Sequence, residues 1–443
     1  MNSGGGQTRL PHLVVLGAVA VAILALVVHN QLVPFDVKFF GLMENDFDLS
    51  TYRAAVDGLW NGKPLYETPA LKEAWFVYPP FATVLLAPFA LASFEVAKWS
   101  LLVLSVGLLA LLAWRIMRLA GVRSGWRLAV VSAALGVTVM DVEPVQATLW
   151  WGQINVVLMA MVLLDLLRPK ASRSRGVGLG LAAGIKLTPL VFLPYLLLTR
   201  QWRTFAIATG TFVATVVGTW PFLPTDSAWF WSHLGDTTHI AHIDHLANQS
   251  INGFLARFFA PLPRPESLWI ILSLLVLAAG LAVAYWAHRR GEQALALGVV
   301  GLTGCAVSPF SWAAHWVWFA AAIFWLVGKA CTTQGGWARG WAYRAAGLYA
   351  AVFMWTLHKP GRNHTTMYFS GVYWNFLDLR PFWTGQLMSG WYPLVYLCFL
   401  IGAVGWLRLS TSESRVVGAT AMTADDLGDY PPEFLDDEVA ARA

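Results

Sequence analysis

The chain has 443 residues, 57% of them hydrophobic and 12% charged, with a formal net charge of +5 and a mean hydropathy of +0.56. A soluble domain carries about 25% charged residues, so this chain cannot solvate its own surface and is expected to be integral to a bilayer. The small positive excess sits in short loops, which excludes a nucleic-acid-binding surface and reads as membrane topology instead.

The first apolar run, 13–33, follows Arg9 without a small-residue cleavage site just beyond it, and is expected to be an uncleaved first span. Residues 34–95 then form an outer loop that is polar for a membrane protein. Between Met43 and Pro80 it holds six acidic side chains: Asp46 and Asp48 open the stretch and Tyr78-Pro79-Pro80 closes it. Within the loop, 79–92 is too short to cross a bilayer comfortably and predicts a re-entrant or interfacial helix.

Further spans are predicted at 96–118, 128–142, 153–168, 177–199, 203–222, 267–287, 293–308, 316–329, 345–358 and 390–409. Lys186-Leu187-Thr188-Pro189 interrupts 177–199, which therefore reads as two short helices. The expected fold class is an all-α polytopic membrane protein of about 12 transmembrane helices, with its membrane domain over 1–409. Asp425, Asp426, Asp429, Glu433, Asp436, Asp437 and Glu438 mark 410–443 as a disordered acidic cytoplasmic tail. Cys305, Cys331 and Cys398 are too scattered for a disulfide framework or a metal site.

Charge orients this layout. Arg115 to Arg127, Arg168 to Arg175, Arg200 with Arg203, Arg289 with Arg290, and Lys329 to Arg344 fall on one side, which the positive-inside rule makes cytoplasmic together with both termini. The polar motifs fall on the other side. A multi-pass protein of the cell (plasma) membrane with an extracytoplasmic active site is the expectation.

Each motif has a plain reading beside the functional one. Asp46-Phe47-Asp48 suits a general base, but Asp48 suits equally the cap of a helix near Ser50. Lys186 is an ionisable group in an apolar hairpin, costly there unless it has a partner such as a phosphate, though a snorkelling lysine is the alternative. Gln153 and Asn155 open a span, where helix capping competes with binding. His315 follows Ser308-Pro309-Phe310-Ser311-Trp312 at the head of a span, as a structural residue or as a phosphate or hydroxyl partner. His239, His242 and His245 with Asp236 and Asp244 have spacing a metal could use, but a polar loop needs no metal, and none is expected. Asn248-Gln249-Ser250 and Asn363-His364-Thr365 match the glycosylation sequon, a weak signal.

Taken in order, Asp48-Leu49-x-x-Tyr52, Gly62-x-x-Leu65-Tyr66, Tyr78-Pro79-Pro80-Phe81, Gly152-Gln153-Ile154-Asn155, Lys186-Leu187-Thr188-Pro189, Asn248-Gln249-Ser250 and Ser308-Pro309-x-Ser311-Trp312-x-x-His315 form a specific set. From Asp46 to His315 it resembles glycosyltransferase family 87, the polyprenyl-phosphate-mannose-dependent α-1,2-mannosyltransferases of actinobacterial envelopes. The resemblance implies a GT-C fold, a polyprenyl-phosphate mannose donor, and a glycolipid or lipoglycan acceptor of the phosphatidylinositol mannoside or lipomannan type, both met within membrane lipid. It implies an inverting transfer without metal or cofactor.

Asp48 is the expected base, Asp46 the second candidate, and Lys186 and His315 the expected phosphate partners. Tyr78, Gln153, Asn155, Asn248, Gln249, Ser311 and Trp312 are expected to bind substrate. A polyprenyl-phosphate-arabinose-dependent arabinofuranosyltransferase is the runner-up. A lipid-linked sugar transporter or flippase, from another class, would require inverted repeats and several ionisable residues near the membrane midplane, whereas only Lys186 and Asp165 stand out.

Overall fold

A computed structural model describes residues 7–42, 44–235, 240–361, 366–375 and 383–425, with side chains as far as 409. The apolar runs form helices, because a helix satisfies its own backbone polar groups where no water can. α1 (His12–Leu32) is followed by α2 (Phe47–Trp60), α3 (Ala82–Leu91) and α4 (Phe94–Leu119). α2 buries Leu49, Tyr52 and Val56 on one face, which fixes the first turn and the carboxylate it carries. The ten residues of α3 rise about 15 Å, half the depth of a hydrocarbon core, so a short element does form where 79–92 predicts one.

α5 (Trp126–Thr138) leads through a 3-10 turn into α6 (Glu143–Trp151), and α7 (Asn155–Leu166) follows at a bend of 118°. Gly152 makes that bend at φ 67°, a left-handed conformation that favours glycine. A Cβ there would also lie 2.8 Å from Leu49 Cβ, so the same residue lets α2 approach the bend.

α8 (Val177–Ile185) ends at Lys186, whose backbone is extended, and a 3-10 turn over Thr188–Val191 leads into α9 (Phe192–Leu198). Pro189 has no N–H to donate and its ring crowds the preceding turn, which favours the break of the apolar run 177–199 there. α8 packs on α10 (Trp202–Thr219) at small residues: a Cβ on Gly184 would lie 2.3 Å from Thr215 Oγ1. This close approach anchors the helix end that carries Lys186.

α11 (Pro224–Ser232), α12 (Ile251–Phe259), α13 (Glu266–Arg289) and α14 (Gln293–Val307) come next. A 3-10 turn over Ala313–Val317 then opens α15 (Trp318–Thr332), and α16 (Gly335–Ala351) packs against it. β1 (Thr356–Pro360) and β2 (Thr366–Ser370) form an antiparallel hairpin with Leu357 opposite Phe369. α17 (Val372–Asn375), α18 (Trp383–Met388) and α19 (Trp391–Asp425) complete the described chain.

Among the described residues, five helices are long and apolar enough to cross a membrane, or six if the bent α6–α7 pair is one span. The protein is thus mostly helical and multi-pass. About twelve crossings are not reached on that measure, because α5, α7 and α14 lie on expected spans but have 13, 12 and 15 residues, short of the ~20 a crossing needs.

The hairpin corrects the expectation of an all-helical chain and of a span at 345–358. Helix stops at Ala351, and Glu143 N–H then donates to Val352 O (2.8 Å) and Met354 N–H to Asp141 O (2.8 Å), docking this segment beside the start of α6. Beyond it, exposed His358 and Pro360 alternate with half-buried Leu357 and Lys359, a strand rather than a helix period. The described residues through Tyr396 form one compact unit and those from Leu397 a second. The tail expected to be disordered falls partly on α19, helical through Asp425, and partly on 426–443, outside the described residues.

Candidate active site

A cavity of about 770 Å³ is walled by the first turn of α2, the Trp75–Pro79 segment, α6, Lys186–Thr188, the 310–315 turn and the hairpin. Asp48, Tyr78, Gln153, Lys186, Trp312 and His315 all line it. Six of the expected site residues, from Asp48 to His315 in the sequence, therefore meet at one place.

Four of them are joined, through Asn155, into a five-residue chain of hydrogen bonds. Gln153 Nε2 donates to Asp48 Oδ2, and Asn155 Nδ2 donates to Gln153 Oε1. Lys186 Nζ donates to Asn155 Oδ1 (3.0 Å) and lies 2.9 Å from His315 Nε2. An ammonium has only donors, so Nε2 accepts and the neutral ring carries its proton on Nδ1. That atom is buried without a hydrogen-bond partner among the described residues. These two bonds use two of the three N–H groups of Lys186, whose ammonium also lies 5.3 Å over the Tyr78 ring. The arrangement sets a carboxylate at one end and two N–H donors suited to an anion at the other.

Asp48 does not cap α2. Its carboxylate is spent on Gln153, and the helix has no side-chain cap. Burial pushes the Asp48 carboxyl up to about 6, against the Gln153 hydrogen bond and the Lys186 charge, which both pull it down. Gln153 and Asn155 do not cap α7 either, since both amides are engaged in the chain, and Asn155 Nδ2 also donates to Ala314 O (3.1 Å).

Asp46 is not brought to the cavity. Its left-handed backbone (φ 48°) turns it away from Asp48, and its Oδ2 lies 3.9 Å from Lys98 Nζ. Burial raises its carboxyl to about 6, with Lys98 opposing and Glu95 and Glu44 adding. Asn248 and Gln249 are fully buried and also lie off the cavity lining. Asn248 Oδ1 accepts from Ser250 Oγ (2.9 Å) and from the Ser311 N–H (3.0 Å), and Gln249 Nε2 donates to Leu246 O (2.7 Å) and Ser389 O (2.9 Å). They hold the turn that presents Trp312 and His315. Ser311 is buried and lines a smaller neighbouring cavity with Lys186, Cys305 and His315. Burial of Asn248 also removes it as a glycosylation acceptor; Asn363 lies outside the described residues.

Tyr78 packs into an aromatic wall. Its hydroxyl is 2.8 Å from that of Tyr52, and Tyr66 donates to its carbonyl (2.6 Å). Burial raises both the Tyr52 and Tyr78 hydroxyls well above the usual phenol range, keeping them neutral beside Asp48. His245 lines the cavity against Trp312, with ring centroids 5.1 Å apart. Asp236 and His239 lie outside the described residues, and among the described residues no three His, Cys, Asp or Glu converge to hold a metal ion.

Sequence reasoning missed Glu143, Gln146 and Trp150 of α6 and the hairpin residues Met367 to Ser370, all in the cavity lining. The signal for the first three was present as spacings of three and four residues, one helical face, in the stretch 143–152 that falls between the predicted spans 128–142 and 153–168.

A buried polar chain that runs from a carboxylate to an ammonium and a neutral imidazole has the groups for group transfer with an anionic leaving group, and comparison narrows the class. The sequence pattern of glycosyltransferase family 87 matches residues 76–309, and the chain belongs to that family. Membership makes it an enzyme, a glycosyltransferase, and implies a GT-C type membrane fold. It is 37% identical over 65% of its length to the polyprenol-phosphate-mannose-dependent α-(1-2)-phosphatidylinositol mannoside mannosyltransferase of Mycobacterium tuberculosis, of which 71% is covered. It is 31% identical over 89% of its length to the corresponding phosphatidylinositol pentamannoside mannosyltransferase of Mycolicibacterium smegmatis, of which 91% is covered. An α-(1->3)-arabinofuranosyltransferase of Mycobacterium tuberculosis is 28% identical over 49% of this chain and 50% of its own. No solved structure matches the chain.

Proposed function

We propose that the chain transfers mannose from a polyprenyl-phosphate-mannose donor to a phosphatidylinositol mannoside or lipomannan-type acceptor, forming an α-1,2 linkage with inversion. The observation that carries this reading is the single cavity shared by Asp48 and the Lys186–His315 pair. Asp48 takes the proton of the acceptor hydroxyl as its oxygen attacks C1 of the donor mannose. The bond from C1 to the phosphate oxygen breaks, and the polyprenyl phosphate leaves with its charge held by Lys186 Nζ and His315 Nδ1. Preset donors aimed at developing charge are the strongest catalytic device available without a metal. A single displacement turns a β-linked donor into an α product, so one base suffices.

In this reading the polyprenyl chain enters sideways between helices, the site faces the extracytoplasmic side of the plasma membrane, and both termini are cytoplasmic. The shorter helices fill out a layout of about twelve crossings.

A second reading, transfer of arabinofuranose from its polyprenyl phosphate, is favoured only by the similarity to the arabinofuranosyltransferase over half the chain. Membranes containing the protein, incubated with labelled polyprenyl-phosphate mannose or arabinose and a panel of glycolipid acceptors, decide between them. Label is expected in a mannosylated glycolipid and nearly lost with Asp48→Asn. Transfer from the arabinose donor alone selects the second reading. Movement of lipid-linked sugar across the membrane without transfer overturns both.

A further inference from the structure

The chemistry above leaves one wall of the cavity unused. Glu143, Gln146, Ala147 and Trp150 recur at the spacing of one helical face, and all four face the cavity. An apolar stripe there would be ordinary packing. This stripe instead holds two polar side chains, only 3% and 2% exposed, and a half-buried indole.

Each polar group is set to accept. The Glu143 carboxylate is fixed by the hydroxyls of Tyr373 (2.9 Å) and Tyr392, one on each oxygen. A carboxylate has about four acceptor positions, so two remain. Gln146 Oε1 is buried without a hydrogen-bond partner among the described residues. Buried polar atoms in native proteins find partners, and this one stands in the wall of a cavity. Trp150 has already placed its polar edge, with Nε1 donating to Phe39 O (2.9 Å). What its ring has left to offer is an apolar face.

Position separates this wall from the phosphate end. α6 finishes beside Gly152 and Gln153, and Gln153 holds Asp48. Glu143 lies at the other end of the helix, about 12 Å away at 1.5 Å per residue. The stripe therefore starts next to the base and runs away from it. A carboxylate repels a phosphate and accepts from hydroxyls, so a charged headgroup does not fit here and a neutral polyol does.

We propose that Glu143, Gln146 and Trp150 form an acceptor-glycan subsite, which binds the uncharged sugar rings preceding the hydroxyl that is glycosylated. The proposal rests on the reading of the chain as a mannosyltransferase and adds which surface reads the acceptor. Hydroxyls donate to Glu143 and Gln146 Oε1, and the C–H face of a ring lies on Trp150.

The purified full chain in detergent tests it with two lipid-linked acceptors that carry one or three mannosyl residues. Wild type is expected to show the lower KM for the trisaccharide. Gln146→Leu and Trp150→Ala are each expected to raise that KM by about three- to tenfold, the effect of one lost hydrogen bond or stacking contact. Trp150→Phe is expected to keep most of the affinity, which a misfolded protein would not. The monosaccharide KM and the donor KM are expected to stay unchanged. An equal loss on both acceptors, or a raised donor KM, overturns the subsite. Should wild type transfer to neither acceptor, the reading of function fails and calorimetry with free mannotriose decides the subsite. Binding that is weakened by Gln146→Leu supports it, and no binding to wild type overturns it.

Discussion

Asp46 and Asp48 are two residues apart and end in different company. One meets Lys98, and the other meets Gln153 inside the cavity. Asp48→Asn keeps the shape and removes the basicity, so transfer is expected to fall by roughly 10²–10⁴-fold, the worth of general-base help, while donor binding persists. Asp46→Asn is expected to cost much less, measured as kcat on the same acceptor. The sign of the pH effect follows from the raised carboxyl. As the proposed base, Asp48 would act only when ionised, so kcat/KM is expected to fall as pH drops through about 6. The groups that set that value besides burial are Gln153 and Lys186. Gln153→Met removes a bond to the ionised form, so the acid limb should move to higher pH. A limb that stays in place would separate Gln153 from the base. Sequence ranked Asp48 first only through the Asp-Leu-x-x-Tyr spacing it shares with the family; the physical difference, the left-handed turn at Asp46, is visible only in the fold.

At the scale of elements, two breaks in apolar helices build the site. Gly152 bends α6 into α7 and sets Gln153 and Asn155 on the inside of the bend. The break at Lys186 ends α8 with an ammonium in the cavity wall. Lys186→Ala is expected to lower kcat/KM for the donor by on the order of 10²-fold, as loss of one charge-stabilising donor does, with acceptor KM little changed. Equal losses for both substrates would assign Lys186 a structural role. Both breaks were legible, since glycine, proline and lysine stand out in apolar runs. The hairpin was not, because hydropathy over 345–358 cannot see that Val352 and Met354 would pair with the start of α6. Asn248 and Gln249 misled for a related reason. Polar residues beside a motif look like ligands, and only the fold shows their amides consumed by the Ser311 backbone, Leu246 and Ser389.

Over the whole molecule, charge asymmetry gives the orientation a direct test. Lys63, Lys72 and Ser174 are all exposed, so single cysteines introduced there are open to a membrane-impermeant reagent on whichever side they lie. In intact cells, labelling is expected at 63 and 72 and not at 174; the reverse pattern would put the site on the cytoplasmic side.

The cavity gathers Asp48 from α2 and His315 from the turn before α15, yet the family pattern spans 76–309. The signature by which the chain is known thus stops short of its site at both ends. A protein trimmed to those boundaries would still be assigned to the family and would carry neither the carboxylate nor the imidazole.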